Sequence, residues 1–294
     1  MSDSSTLPND AIATVAVLGA GTMGHGIAQV CAMAGCATRL QDLGAEQVEA
    51  GLARIAKNLD KGVARGKVSE EQKASTLAKL SGTPDLAEAV RGADLIIEAA
   101  PEKLEIKRDL FTRVAAVVGD DAILGTNTSS LSITDIAAPI PNPSRVIGLH
   151  FFNPVHIMKL LEIVVGKQTS DAVLGRMRAF SERIGKQAIV VQDAPGFATS
   201  RLGLVIGLEA IRMVEQGVAS PEDIDKAMTL GYGFPMGPLK LTDLVGLDVR
   251  LSIAEYLAGK LEQGEHFNPP QLLRDMVAEG KLGKKSGQGF YSWE

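Results

Sequence analysis

Two hydrophobic patterns divide the chain. Up to about residue 193, short apolar runs rich in β-branched residues recur: IATVAVLG, ATRLQD, ADLIIEAA, DAILGT, RVIGLHFF, LLEIVVG and AIVVQD. Longer segments with helical spacing lie between most of them, including 44–65 and 102–118. Runs apolar on both faces predict central parallel strands covered by helices. Strand–helix alternation of this kind predicts a doubly wound α/β domain. After VVQDAPGF the period becomes helical as far as about Ala278, through RLGLVIGLEAIRMVEQG, SPEDIDKAMTLG and LKLTDLVGLDVRLSIAEYLAGKL. Ser220, Pro221, Glu222 and Asp223 form a helix start: a cap, a proline in the first turn, and acids at the positive end. The expected division is residues 1–192 and an all-α domain over 193–294.

The segment VAVLGAGTMGHGIAQVCAMAG carries the strongest local signal. Gly19, Gly21 and Gly24 form G-x-G-x-x-G between an apolar strand and a helical run, and Thr22 and Met23 complete the loop. In that context the motif is a dinucleotide fingerprint and makes the first domain Rossmann-type. The first glycine permits the turn, the second lets backbone approach a pyrophosphate, and the third lets helix and strand pack. Free N–H groups at the helix N-terminus then face the phosphates. The next strand ends at RLQD, where Asp42 stands at the distance expected of an acid that bonds the ribose hydroxyls. Its charge opposes a 2′-phosphate, so the expected cofactor is NAD rather than NADP. A plain turn or cap role for Asp42 is the alternative.

The stretch HFFNPVHIMKLLEIV places His150 at the end of one apolar run and Glu162 inside the next. A buried carboxylate needs a polar partner. Open α/β sheets bind ligands outside the C-terminal ends of their strands, so a histidine there is well placed for chemistry on an alcohol. Imidazole suits a base that removes a hydroxyl proton. A carboxylate on its other nitrogen fixes the tautomer and stabilises the imidazolium. His25 follows the glycine loop, and His156 and His266 are expected in loops.

Composition narrows the field. The chain has 294 residues, 45% hydrophobic and 22% charged, with a formal charge of -5, so no global basic field favours nucleic acid or an anionic membrane. Cys31 and Cys36 lack metal-ligand spacing and read as small core residues; no metal site is expected. So few cysteines suit a reducing compartment. The opening MSDSSTLPND lacks the basic start and apolar core of a targeting signal, and no apolar run has the length to span a bilayer. A soluble cytoplasmic protein is expected.

Six segments, GAGTMGHGIA, NTSSLSI, GLHFFNPVHIMKLLEIV, DAPGFATSRL, MGPLKLTDLVGLD and GKKSGQGFY, resemble in order and spacing the L-3-hydroxyacyl-CoA dehydrogenases. The likeness is greatest to single-function 3-hydroxybutyryl-CoA dehydrogenases and covers about residues 12–293. It implies NAD-dependent interconversion of (S)-3-hydroxyacyl-CoA and 3-oxoacyl-CoA, favouring short chains. It also implies His150 as general base, Glu162 as its orienting carboxylate, and Ser129 near the substrate hydroxyl and the nicotinamide. Asn153, Glu102, Lys107 and Lys285 would contact the cofactor. Coenzyme A phosphates need cations, and KNLDKGVARGK supplies Lys57, Lys61, Arg65 and Lys67; a solvated helix face is the alternative. A homodimer formed through the C-terminal helices is implied as well.

One position departs from the family. Ser200 precedes Arg201 where the family usually has an asparagine that helps hold the thioester. A serine hydroxyl is shorter and has one donor against two on an amide. Two rival readings remain: a related gulonate-type hydroxyacid dehydrogenase, and a non-catalytic NAD-binding protein on the same fold. Turnover of acetoacetyl-CoA against free acetoacetate separates all three.

Overall fold

The computed structural model describes residues 12–293, in two compact units whose border in sequence falls between Asp193 and Ala194. That is one residue later than the expected border. Asp193 is bound into the first unit, where its carboxylate accepts from the Ser132 and Thr134 hydroxyls and from the backbone N–H groups of Ile133 and Thr134.

In chain order the first unit holds β1 (Thr14–Leu18), α1 (Gly24–Met33), β2 (Ala37–Gln41), α2 (Ala45–Ala64), α3 (Glu70–Ala78), β3 (Leu80–Thr83), α4 (Leu86–Val90) and β4 (Leu95–Glu98). It continues with α5 (Leu104–Ala115), β5 (Ile123–Thr126), α6 (Ile133–Ala137), β6 (Val146–Phe151), β7 (Leu160–Val165), α7 (Asp171–Arg183) and β8 (Gln187–Gln192). The strands form one sheet in the order β3-β2-β1-β4-β5-β6-β7-β8. The first six have the 3-2-1-4-5-6 order of a doubly wound dinucleotide fold, with its crevice where the order reverses between β1 and β4. Strands β4, β5 and β6 are buried along their whole length, which is why their sequences are apolar without alternation.

Two features differ from the expectation. Leu80–Thr83 is a strand at the sheet edge that the sequence hides, because LSGT offers neither a β-branched run nor alternation and its middle is exposed. The LLEIVV strand, expected to be parallel, runs antiparallel to β6. The connection over 152–159 is too short for a parallel crossover, which takes a dozen residues or more. This reversal is what brings the two candidate catalytic side chains together.

The second unit holds α8 (Thr199–Glu215), α9 (Pro221–Lys226), α10 (Pro238–Val245), α11 (Leu247–Lys260) and α12 (Gln271–Ala278). The continuous helical pattern from Leu239 to Leu261 is broken at Gly246, whose φ of 105° no helix tolerates. The core includes Leu204, Leu208, Ile211, Leu239, Leu247 and Leu257. Two buried acids fasten the chain end to it. Asp243 accepts from the backbone N–H groups of Phe290 and Tyr291 and from Trp293 Nε1. Asp225 accepts from the N–H groups of Leu239 and Lys240 and from the Tyr291 hydroxyl.

Candidate active site

The glycine loop joins β1 to α1 at the crevice. Gly19 has a φ of 102°, and a Cβ there would lie 2.6 Å from the Ala99 carbonyl oxygen. A Cβ on Gly24 would lie 1.6 Å from the Gly19 carbonyl oxygen, so the third glycine lets α1 start directly against the loop. Nothing lies within 4 Å of a Cβ built on Gly21. Gly21 instead borders a cavity of about 520 Å³ whose wall includes Gly19, Thr22, Met23, Asp42, Leu43 and Ile106. Leu43 is 91% exposed and Ile106 39%, two apolar side chains at an open wall. Backbone bare at one end and apolar groups at the other suit a dinucleotide, with phosphates on the glycines and a planar ring against the side chains.

Asp42 directly follows β2 beside this cavity and also ties the loop down. Its Oδ2 accepts from the Ala20 N–H and its Oδ1 from the Leu43 N–H, each at 2.7 Å. The turn role considered for Asp42 is thus present, on a carboxylate that also borders the cavity.

His150 and Glu162 lie directly opposite each other in the antiparallel pair of β6 and β7. Opposed residues point to the same face of a sheet. His150 Nδ1 is 2.9 Å from Glu162 Oε2, with the glutamate fully buried and the histidine 8% exposed. The Phe152 ring tilts against the imidazole, with centroids 4.5 Å apart. Just past His150, the Phe151 N–H donates to Asn127 Oδ1 at 2.9 Å, tying the end of β6 to the NTSS loop after β5.

That loop is organised by a second carboxylate cluster. Glu102 Oε1 accepts from the Thr128 hydroxyl at 2.6 Å, from the Ser129 N–H at 2.8 Å and hydroxyl at 3.1 Å, and from the Ser130 N–H at 3.2 Å. Burial raises the Glu102 pKa, but the Lys107 charge and these hydrogen bonds outweigh it and hold the carboxyl below its ordinary value. Lys107 is 1% exposed; its Nζ lies 2.7 Å from Glu98 Oε1 and 3.2 Å from Glu102 Oε2. Glu98 is fully buried and also accepts from the Thr126 hydroxyl and the Ala100 N–H, both at 2.6 Å. Lys107 thus serves as the buried counter-charge shared by Glu98 and Glu102.

The expected cations separate. Lys61 and Arg65 line a cleft of about 300 Å³ together with Thr22, His25, Asn58, Asn153 and His156. Positions 58, 61 and 65 share one face of α2 and the turn after it, whereas Lys57 and Lys67 lie off the cleft and exposed. Burial, and the neighbouring charges of His25, Lys186 and Lys61, lower the His156 pKa. In the second unit Ser200 occupies the first turn of α8, and Lys285 Nζ donates to Asp248 Oδ2 at 2.6 Å.

Sequence reasoning passed over Glu98, Asn127, Asn58 and Lys186. Glu98 carried the same signal as Glu162, an acid inside an apolar strand, LIIEAA. The others had no signal before the loops were folded together.

A dinucleotide cradle at the crevice of a 3-2-1-4-5-6 sheet, with a buried imidazole–carboxylate pair on two further strands, defines an NAD-dependent oxidoreductase of the Rossmann class. Comparison with known proteins gives the family. Residues 14–194 match the family described as 3-hydroxyacyl-CoA dehydrogenase, NAD binding domain, and residues 196–293 match 3-hydroxyacyl-CoA dehydrogenase, C-terminal domain. The chain belongs to the 3-hydroxyacyl-CoA dehydrogenase family. It is 43% identical over 287 residues to the 3-hydroxybutyryl-CoA dehydrogenase of Mycobacterium tuberculosis, covering 97% of this chain and 100% of that one. It is 44% identical over 282 residues to the 3-hydroxyadipyl-CoA dehydrogenase of Escherichia coli, covering 96% of this chain but only 59% of that longer protein. Among solved structures, (S)-3-hydroxybutyryl-CoA dehydrogenase of Ralstonia eutropha superposes with a TM-score of 0.93 at 40% identity, over 97% of this chain and 100% of the other. Among the described residues no helix is long and apolar enough to cross a membrane.

Proposed function

We propose that this chain interconverts (S)-3-hydroxyacyl-CoA and 3-oxoacyl-CoA thioesters with NAD, with 3-hydroxybutyryl-CoA or a similarly short thioester as substrate. The observation that carries the reading is the in-register His150–Glu162 pair, a buried carboxylate 2.9 Å from the imidazole at the end of a strand of an NAD-binding sheet. NAD, when bound, accepts the hydride from the substrate's C3. His150 takes the hydroxyl proton at Nε2 during oxidation and returns it during reduction. Glu162, on Nδ1, fixes the tautomer and stabilises the imidazolium that forms. Ser129, with its backbone and hydroxyl held by Glu102, donates to the substrate oxygen. Asp42 meets the ribose, Gly19, Gly21, Thr22, Met23 and Gly24 cradle the pyrophosphate, and Asn153 and Glu102 lie toward the nicotinamide half. Lys61 and Arg65 bind coenzyme A phosphates in the cleft they share with Asn58 and His156.

The same proposal covers assembly and location. In the second unit Leu202, Leu241, Leu244, Val245 and Val249 are 39–63% exposed, which suits burial against a second copy in a homodimer. Cys31 and Cys36 are buried free thiols, in keeping with a reducing cytoplasm.

The test is NADH oxidation by the wild-type protein with acetoacetyl-CoA and with free acetoacetate. Turnover of the thioester alone is expected. Turnover of the free acid, or NADH binding with no turnover of either, contradicts the proposal. A series of acyl-CoA chain lengths, including a dicarboxylic acyl group of the kind named for the Escherichia coli relative, then fixes the preferred substrate.

A further inference from the structure

The loop over residues 152–159 joins the strand of His150 to the strand of Glu162 and also supplies Asn153, Pro154, Val155, His156 and Ile157 to the cleft wall. Two features inside the loop shape it. The N–H groups of Ile157 and Met158 both donate to the Pro154 carbonyl at 2.9 Å. Val155 packs on α1 where Gly26 leaves room: a Cβ on Gly26 would lie 2.8 Å from the Val155 Cβ.

The third restraint comes from far along the chain. Lys186 sits between Gly185, with a φ of 70°, and the start of β8, and it is 7% exposed. Its Nζ donates to the Val155 carbonyl and, at 2.6 Å, to the Met158 carbonyl. One residue on, the Gln187 N–H donates to the Lys159 carbonyl at 2.8 Å, so the clamp continues into the β7–β8 ladder. Among the described residues Lys186 has no carboxylate partner. A buried ammonium without a counter-charge is costly, and a lysine whose task was to fill space would be better replaced by an apolar side chain. Its charge also reaches the cleft, where it helps lower the His156 pKa after the larger effect of burial.

We propose that Lys186 is a positioning residue for substrate binding: its ammonium clamps the Val155 and Met158 carbonyls and so fixes the loop that forms one wall of the Lys61–Arg65 cleft. The inference rests on the reading of that cleft as the site for the coenzyme A phosphates. It assigns no contact with the reacting atoms to Lys186. His150 and Glu162 are held by the β6–β7 ladder itself, and Phe151 by Asn127, so the chemical step is insulated from the clamp.

The experiment is steady-state kinetics of Lys186→Met and Lys186→Arg in the full-length protein, with acetoacetyl-CoA and with a truncated pantetheine thioester. Lys186→Met is expected to raise KM for acetoacetyl-CoA about tenfold, equal to about 1.4 kcal/mol. Its kcat and its KM for the truncated thioester should stay within about threefold of wild type. Lys186→Arg, which keeps both charge and donors, should recover most of the loss. Where Lys186→Met does not yield folded protein, Lys186→Gln takes its place in the same assay. An unchanged KM for acetoacetyl-CoA overturns the inference. So does a parallel fall in kcat, affinity for NADH and melting temperature that Arg does not rescue, because that marks a lysine important only for stability. Wild-type turnover of acetoacetyl-CoA is the separate control for the function itself, so failure of one idea is not mistaken for failure of the other.

Discussion

Glu162→Gln tests the proposed catalytic pair most directly. The amide is nearly the same size as the carboxylate, and its carbonyl oxygen still accepts from His150 Nδ1, so the 2.9 Å contact and the imidazole tautomer are retained. Only the charge is lost. Under the proposed mechanism the carboxylate's charge matters most once the substrate proton has reached the ring. As the substrate proton arrives the ring becomes cationic, and its attraction to the buried carboxylate grows. Two unit charges about 4 Å apart interact by about 4 kcal/mol at an effective dielectric of 20. The amide dipole retains part of that, leaving a loss of about 2–4 kcal/mol, or about 30- to 900-fold in kcat. The assay is NADH absorbance at saturating acetoacetyl-CoA, with NADH affinity from its fluorescence and the fold checked by thermal unfolding. Lower kcat with NADH affinity and melting temperature near wild type is the expected pattern. A kcat within about threefold of wild type would remove Glu162 from the mechanism, whatever the geometry suggests.

Four further outcomes are expected. Asp42→Ala removes the acceptor for the Ala20 and Leu43 N–H groups as well as the proposed ribose partner; KM for NADH should rise about tenfold and the preference over NADPH should narrow, as read by cofactor kinetics. Lys61→Gln or Arg65→Gln should raise KM for acetoacetyl-CoA about tenfold but leave a truncated pantetheine thioester unaffected, while Lys57→Gln and Lys67→Gln should change neither. Glu102 has a lowered pKa in the folded state, so its ionised form contributes stability that is complete above the ordinary carboxyl range and disappears as pH falls through the lowered value. Thermal unfolding of wild type and Glu102→Gln should therefore differ most near neutral pH and converge in acid; a constant difference would refute the assignment. Ser200→Asn should lower kcat/KM by about two- to tenfold, if the substrate pocket is built around the smaller side chain, and Ser200→Ala should lower it as well; no change in either across acyl chain lengths would place Ser200 away from the substrate.

Local sequence determined the parts of this protein whose physics is local. A strand, three glycines and a helix in immediate succession require the Gly19–Gly24 turn, because the Gly24 Cα must come within a side chain's width of the Gly19 carbonyl. The change of hydrophobic period after Asp193 set the border between sheet and helices, and the isolation of Glu162 among apolar neighbours announced that it has a polar partner. Tertiary structure decided what depends on residues distant in the chain. A strand's direction is set by its connection and its neighbours, and the apolar run LLEIVV reads the same either way; only the reversal after 152–159 put Glu162 opposite His150. Charged residues on a helix look alike in sequence, and the orientation of α2 turned Lys61 rather than Lys57 to the cleft, with Arg65 just past its end. Nothing in the spacing of EKLEIKR singles out Lys107 as buried, and only the fold brings it against Glu98 at the end of β4. Lys186 acquires its meaning only when the end of α7 meets a loop about 30 residues earlier, because a side chain's partners across that span are fixed by packing and not by spacing.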